Sequence, residues 1–234
     1  MSTVAEYKPL VEALWPTASK NDARGLLRKA LLIIVGSLLL TMSAKMNVPF
    51  YPVPMTMQTF AVIVIGAAFG WRLGAVTVLA YLAQGAIGLP VFAGTPEKGI
   101  GLAYMTGPTG GYLVGFVAGA AVAGWLAERG WNRSMLLLTL AMFLAHATIF
   151  AFGAAWLGAL IGYEKAWLAG VAPFYLATAL KTLLAAACLK AGWSMVAAWW
   201  SIWMTRVKWC WTSSRTARAT SPRPSPPRPE RPPR

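Results

Sequence analysis

Acidic residues are scarce in this chain, with only seven Asp and Glu among 234 residues. Glu6, Glu12, Asp22, Glu97, Glu128, Glu164 and Glu230 all fall outside the long apolar runs. The paired carboxylates of a hydrolase are therefore missing, as are the intramembrane carboxylate relays of many proton-coupled pumps. The sole histidine, His146, lies inside an apolar run and reads as a packing residue. Cys188 and Cys210 have no ligand spacing and suggest neither a metal site nor a disulfide. No Gly-x-x-x-x-Gly-Lys-Ser/Thr run occurs, so the chain carries no phosphate loop for ATP hydrolysis. With these absences the expectation is a protein that is not an enzyme, uses no cofactor, and binds something without transforming it.

What the sequence has in abundance is apolar surface: 57% of residues are hydrophobic and 12% charged. A helix needs roughly 17 to 25 apolar residues to cross a bilayer. Six runs come near that length, at 26–44, 55–69, 73–87, 110–126, 135–160 and 169–190. The expected fold is an all-α integral membrane protein of six transmembrane helices. Residues 1–25 form a cytoplasmic leader, 26–192 the membrane domain, and 193–234 a basic Trp- and Pro-rich tail expected to be disordered. The first run has no small-residue cleavage site behind it and reads as a retained helix.

The net charge of +14 invites a nucleic-acid reading, which the placement of the basic residues argues against. If both termini are cytoplasmic, only Lys45, Lys98 and Lys165 fall in outer loops, Lys181 lies within a span, and every other Lys and Arg is inside. This is the positive-inside pattern of a membrane protein, and Trp71, Trp125, Trp131, Trp167 and Trp193 near span ends fit the headgroup belt. The expected partner is the lipid bilayer, with no nucleic acid.

The outer loops are the elaborate ones. Loop one, "KMNVPFYPVPM", is stiffened by Pro49, Pro52 and Pro54. Loop three is long and ends in a glycine run, Gly107-Pro108-Thr109-Gly110-Gly111, directly before an apolar span. Two readings of that run stand side by side. In one, it is a turn with Thr109 capping the next helix. In the other, Gly110 and Gly111 let backbone approach a ligand and Tyr112 supplies a ring. Lys181 is the one charge within a span, which is expensive unless it faces a cavity or an anion. Phe174, Thr178 and Lys181 at i, i+4 and i+7 put a ring, a hydroxyl and a cation on one helix face. Snorkelling of Lys181 to the interface is the alternative.

Four segments, taken in order, carry a resemblance: "PVPMTMQTFAV" (53–63), "YLAQGAIGLPVFAG" (81–94), "GPTGGYLVGF" (107–116) and "PFYLATALK" (173–181). In these the chain resembles the BioY family, the biotin-binding substrate-specific components (S components) of energy-coupling-factor transporters. The resemblance covers roughly residues 26–192 and implies a six-helix S-component fold in the bacterial cytoplasmic membrane. It implies biotin bound from the outer side beneath loops one and three. It also implies a transmembrane coupling protein and two ATP-hydrolysing subunits as partners. Biotin has a ureido head, a sulfur ring and a carboxylate. Gln58, Thr178 and backbone from Gly94 to Gly111 are then candidates for the head, Phe92, Tyr112 and Phe174 for the walls, and Lys181 for the carboxylate. Tyr81, Gly107, Thr109, Gly110 and Gly111 complete the expected site. Ala177-Thr178 stands where many members carry Gly-Asp, so a hydroxyl replaces a carboxylate. Ser37 and Thr41 offer only a modest small-xxx-small surface on the first helix. A stand-alone vitamin transporter and a structural membrane protein without a ligand are the alternative functions.

Overall fold

A computed structural model describes residues 9–15, 23–49 and 51–219, with side chains described through residue 198. After the short α1 (Leu10–Leu14), the apolar run of α2 (Ala23–Lys45) leads into loop one. There Asn47–Val48 (β1) pairs antiparallel with Met55–Thr56 (β2), Asn47 opposite Thr56, so loop one is a small hairpin. Met55 and Thr56 are therefore not the start of the second span. Pro54 removes a backbone donor just before them, and helix begins only at Gln58.

Helices α3 (Gln58–Phe69) and α4 (Trp71–Ala86) are joined by Gly70 alone, at φ +85° and ψ 166°. That conformation is closed to a residue with a Cβ, which makes the one-residue connection possible. Trp71 N donates to Glu128 Oε1 at 3.1 Å, fastening this corner to the end of the helix Gly110–Glu128. With 12 and 16 residues, α3 and α4 extend only about 18 and 24 Å, less than the ~30 Å hydrocarbon core. The span expected at 55–69 is thus shortened to α3, while α4 matches the length of the one expected at 73–87 and begins two residues earlier.

Loop three carries α5 (Gly101–Met105) and leads into α6 (Gly110–Glu128), which packs against α3, α4 and α7. Two thirds of the apolar window of α6 is buried, against 28% for α2, so α6 is the central helix and α2 a peripheral one. A Cβ on Gly66 would meet the Ala120 backbone, which explains how closely α3 approaches α6. Ser134 caps α7 (Met135–Ile161) by accepting from Leu137 N at 3.1 Å. The chain then turns through α8 (Tyr163–Gly170) and a 3₁₀ turn (Ala172–Phe174) into α9 (Tyr175–Ala219).

Among the described residues, four stretches are long and apolar enough to cross a membrane: Ala23–Lys45, Gly110–Glu128, Met135–Ile161 and Tyr163–Ala198. Large apolar side chains such as Leu31, Leu38, Met42, Leu140 and Phe143 stand exposed on them, as a lipid-facing surface requires. The chain divides into two units, residues 1–193 and 194–234. Helix continues through Ala219, so the first part of the tail is helical and not disordered. Its Trp, Ala and Met residues are compatible with helix in a way the proline run is not. That proline run and most of the leader lie outside the described residues.

Candidate functional site

At the end of the bundle that carries loops one and three, those loops with α3, α6, α7 and α9 line a cavity of about 50 Å³. Lys181 reaches it from α9, only 9% exposed, and its Nζ donates to Thr56 O of β2 at 2.6 Å. Among the described residues, no carboxylate lines the cavity. One full positive charge is thus held against a single backbone dipole, in surroundings where an anion would be attracted strongly. Phe174 and Thr178 line the same cavity, as their helical spacing from Lys181 requires.

One wall is aromatic. Tyr112 meets Phe150 edge to face at 6.1 Å between ring centroids, and Phe150 lies 6.1 Å from Phe174. Tyr112 is held in place by its hydroxyl, which donates to Gly170 O at 2.7 Å. The opposite wall is more polar. Gln58, 4% exposed, donates through Nε2 to Tyr81 Oη at 2.7 Å, and Tyr81 Oη donates to Val91 O at 3.0 Å. Because the Gln58 nitrogen is engaged, its amide oxygen is the group left to accept from a ligand N–H. Tyr104 closes the outer side, its hydroxyl donating to Ala93 O at 2.9 Å. Burial raises the Tyr104 phenol above its ordinary pKa, against a smaller lowering by its hydrogen bond with Thr109, so it remains a neutral donor.

Of the twelve residues expected from sequence, Gln58, Thr109, Tyr112, Phe174, Thr178 and Lys181 line the cavity. Tyr81 and Phe92 stand one layer behind it, both fully buried, in edge-to-face contact at 5.5 Å. Gly94 makes a positive-φ turn in loop three, and Gly107 O accepts from Trp156 Nε1 at 3.0 Å. Gly110 and Gly111 do not face the cavity. A Cβ on Gly110 would strike Met105 O, and one on Gly111 would strike Trp156, so both let α6 seat against its neighbours. Gly110 N is engaged with Gly107 O at 3.0 Å. Thr109 sits at the N-cap position but makes no side-chain cap, contrary to expectation; its side chain lines the cavity instead.

Several lining residues were not marked by the sequence. Thr56 and Pro54 stand within the quoted loop-one segment, and Tyr104 is a ring in a glycine-rich loop, so a signal existed for each. Leu113 and Phe116 also stand in a quoted segment, 107–116, whereas Phe150 had no signal, because α7 is apolar on every face and periodicity selects no side. A larger groove of about 840 Å³ lies between α7 and α9, with an almost wholly apolar lining. Such a surface suits lipid tails. Convergent polar groups and the cation are in the smaller cavity, which is therefore the candidate site.

Known proteins resemble this chain throughout the region that builds the cavity. A model of the BioY family matches residues 15–198. The chain is 35% identical over 147 residues to the probable biotin transporter BioY of Pyrococcus horikoshii, covering 63% of this chain and 85% of that one. It is 40% identical over 146 residues to the biotin transporter BioY of Rhizobium etli, covering 58% and 76%. Its fold is similar to the crystal structure of the S-component for biotin from an ECF-type ABC transporter. The TM-score there is 0.64 at 21% identity, over 73% of this chain and 93% of that one. The match over residues 15–198 takes in α2 to α8, α9 as far as residue 198 and every residue lining the cavity, and on it the chain belongs to the BioY family.

Proposed function

We propose that this protein binds biotin in the outer cavity and admits it to the cell as the substrate-specific component of an energy-coupling-factor transporter. The observation that carries the reading is Lys181: a buried cation in a cavity with an aromatic wall and no carboxylate of its own. The biotin carboxylate supplies the missing anion. The Gln58 amide oxygen and the Thr178 hydroxyl accept from the ureido N–H groups, and Tyr112, Phe150 and Phe174 pack the sulfur ring. The names of the curated relatives support the same ligand.

A cavity of about 50 Å³ is small beside the ~300–1,000 Å³ of typical ligand pockets. Binding therefore requires the lining to open, with loop one shifting away from the cavity, while Lys181 has two further protons to offer an anion. Six helices cross the bacterial cytoplasmic membrane in this reading, the short α3 and α4 among them, with both termini inside by the positive-inside rule. Local thinning of the bilayer or burial within the bundle accommodates the two short ones. A transmembrane coupling protein and two ATP-hydrolysing subunits supply the energy.

Biotinamide, which lacks the carboxylate, tests the reading. Lys181→Ala should weaken biotin about ten- to a hundredfold, the worth of a buried charge-assisted hydrogen bond, and leave biotinamide within a few-fold. Equal losses for both ligands, or none, would show that Lys181 does not read the carboxylate.

A further inference from the structure

Behind the cavity, the backbone of loop three from Val91 to Thr95 is gripped by side chains of three separate helices. Tyr81 of α4 donates to Val91 O at 3.0 Å, and Tyr104 of α5 donates to Ala93 O at 2.9 Å. The third grip is Lys45, the last residue of α2. Its Nζ donates to Phe92 O, Thr95 O and Thr95 Oγ1, each at 3.1 Å, while Thr95 Oγ1 donates in turn to Phe92 O at 2.7 Å. An ammonium has three protons, and all three are spent on this one loop.

The loop so held is part of the site. Ala93 lines the cavity directly. Phe92, 1% exposed, is stacked on the Tyr104 ring at 4.9 Å and 17°, and Tyr104 forms the outer side of the cavity. Lys45 touches no cavity space itself. Its hydrogen bonds fix the carbonyl of Phe92 itself and that of Thr95, which bracket Ala93. Charge-assisted bonds of this kind are roughly twice as strong as neutral ones, and a neutral side chain of the same length would give up all three.

We infer that Lys45 is a positioning residue of the ligand site, acting through Phe92 and Tyr104 to keep loop three closed over a bound molecule. The inference rests on the biotin reading for its ligand, but the clamp itself exists without one. A loosened loop three releases ligand sooner, whereas encounter with the open site is little changed. The effect therefore belongs in the dissociation rate.

The test uses the full chain in detergent, with labelled biotin chased by unlabelled biotin, and hydrogen exchange measured in the absence of ligand. Lys45→Met should speed biotin release about tenfold and change association by no more than about twofold. Lys45→Arg, which keeps enough donors for the same acceptors, should restore release to within about threefold. Exchange at residues 91–95 should quicken in Lys45→Met while exchange in α6 and α7 stays unchanged. Thr95→Val removes one acceptor of the clamp, and its effect on release should be less than additive with that of Lys45→Met. Unchanged exchange at 91–95, or exchange raised equally throughout α6 and α7, would overturn the positioning role. Full additivity of the two substitutions would do so as well. Failure of the unsubstituted protein to bind biotin would overturn the proposed ligand, and the exchange measurement would still decide the clamp.

Discussion

Lys181 was legible in the sequence because charge inside an apolar span has few physical justifications, and Phe174 and Thr178 followed from helical spacing. Its partner was not legible. The carbonyl of Thr56 lies 125 positions away, and no side-chain pattern announces a backbone acceptor. The glycine run shows the opposite case, in which a signal was visible and its meaning was not. Gly110 and Gly111 are pressed against Met105 and Trp156, so their small size serves helix packing. Gly111→Val should therefore destabilise the protein before it affects ligand chemistry, by about 1 to 3 kcal/mol or more, as overpacking does. Thermal denaturation without ligand checks this, and an unchanged midpoint would return Gly111 to the ligand wall. His146 illustrates the bland outcome for a lone histidine: it is buried, with Nδ1 within 3.2 Å of Met142 O and 3.0 Å of Thr182 Oγ1.

At the scale of elements, the long helices were readable from apolar run length alone, and α2, α6 and α7 begin and end within a few residues of expectation. The hairpin of loop one was hidden because two-residue strands carry no periodicity. Loop one's prolines did mark it as extended, and its position over Lys181 gives that stiffness a use. Helix α9 was misjudged beyond residue 192, where basic and Trp-rich composition was taken for a disordered tail, yet helix runs to Ala219. Every cavity-lining residue lies in the unit ending at Trp193. Removing residues from about 205 onward should accordingly leave biotin affinity within a few-fold, since the deleted backbone lines no part of the site. Equilibrium binding by the purified truncate measures this. Loss of binding by a truncate that keeps its helical content would place part of the site in the tail.

For the molecule as a whole, the absences in the sequence matter as much as the cavity. The chain carries no Gly-x-x-x-x-Gly-Lys-Ser/Thr run, and under the proposed function concentrative uptake draws on partners that hydrolyse ATP. Vesicles holding this protein alone should not accumulate biotin against a gradient, whereas vesicles that also hold a coupling protein and its ATP-hydrolysing subunits should. Accumulation by the protein alone would favour a stand-alone transporter. Before energetics comes the ligand itself, and titration of the purified, full-length protein with biotin tests it most directly. A ligand bound only by the native state stabilises it by about 2.7 kcal/mol at a hundredfold excess over Kd. Saturable binding, with a thermal midpoint that rises with biotin concentration, is the predicted result. Neither binding nor stabilisation at concentrations far above nanomolar would contradict it and leave a membrane protein whose cavity serves some other molecule or none.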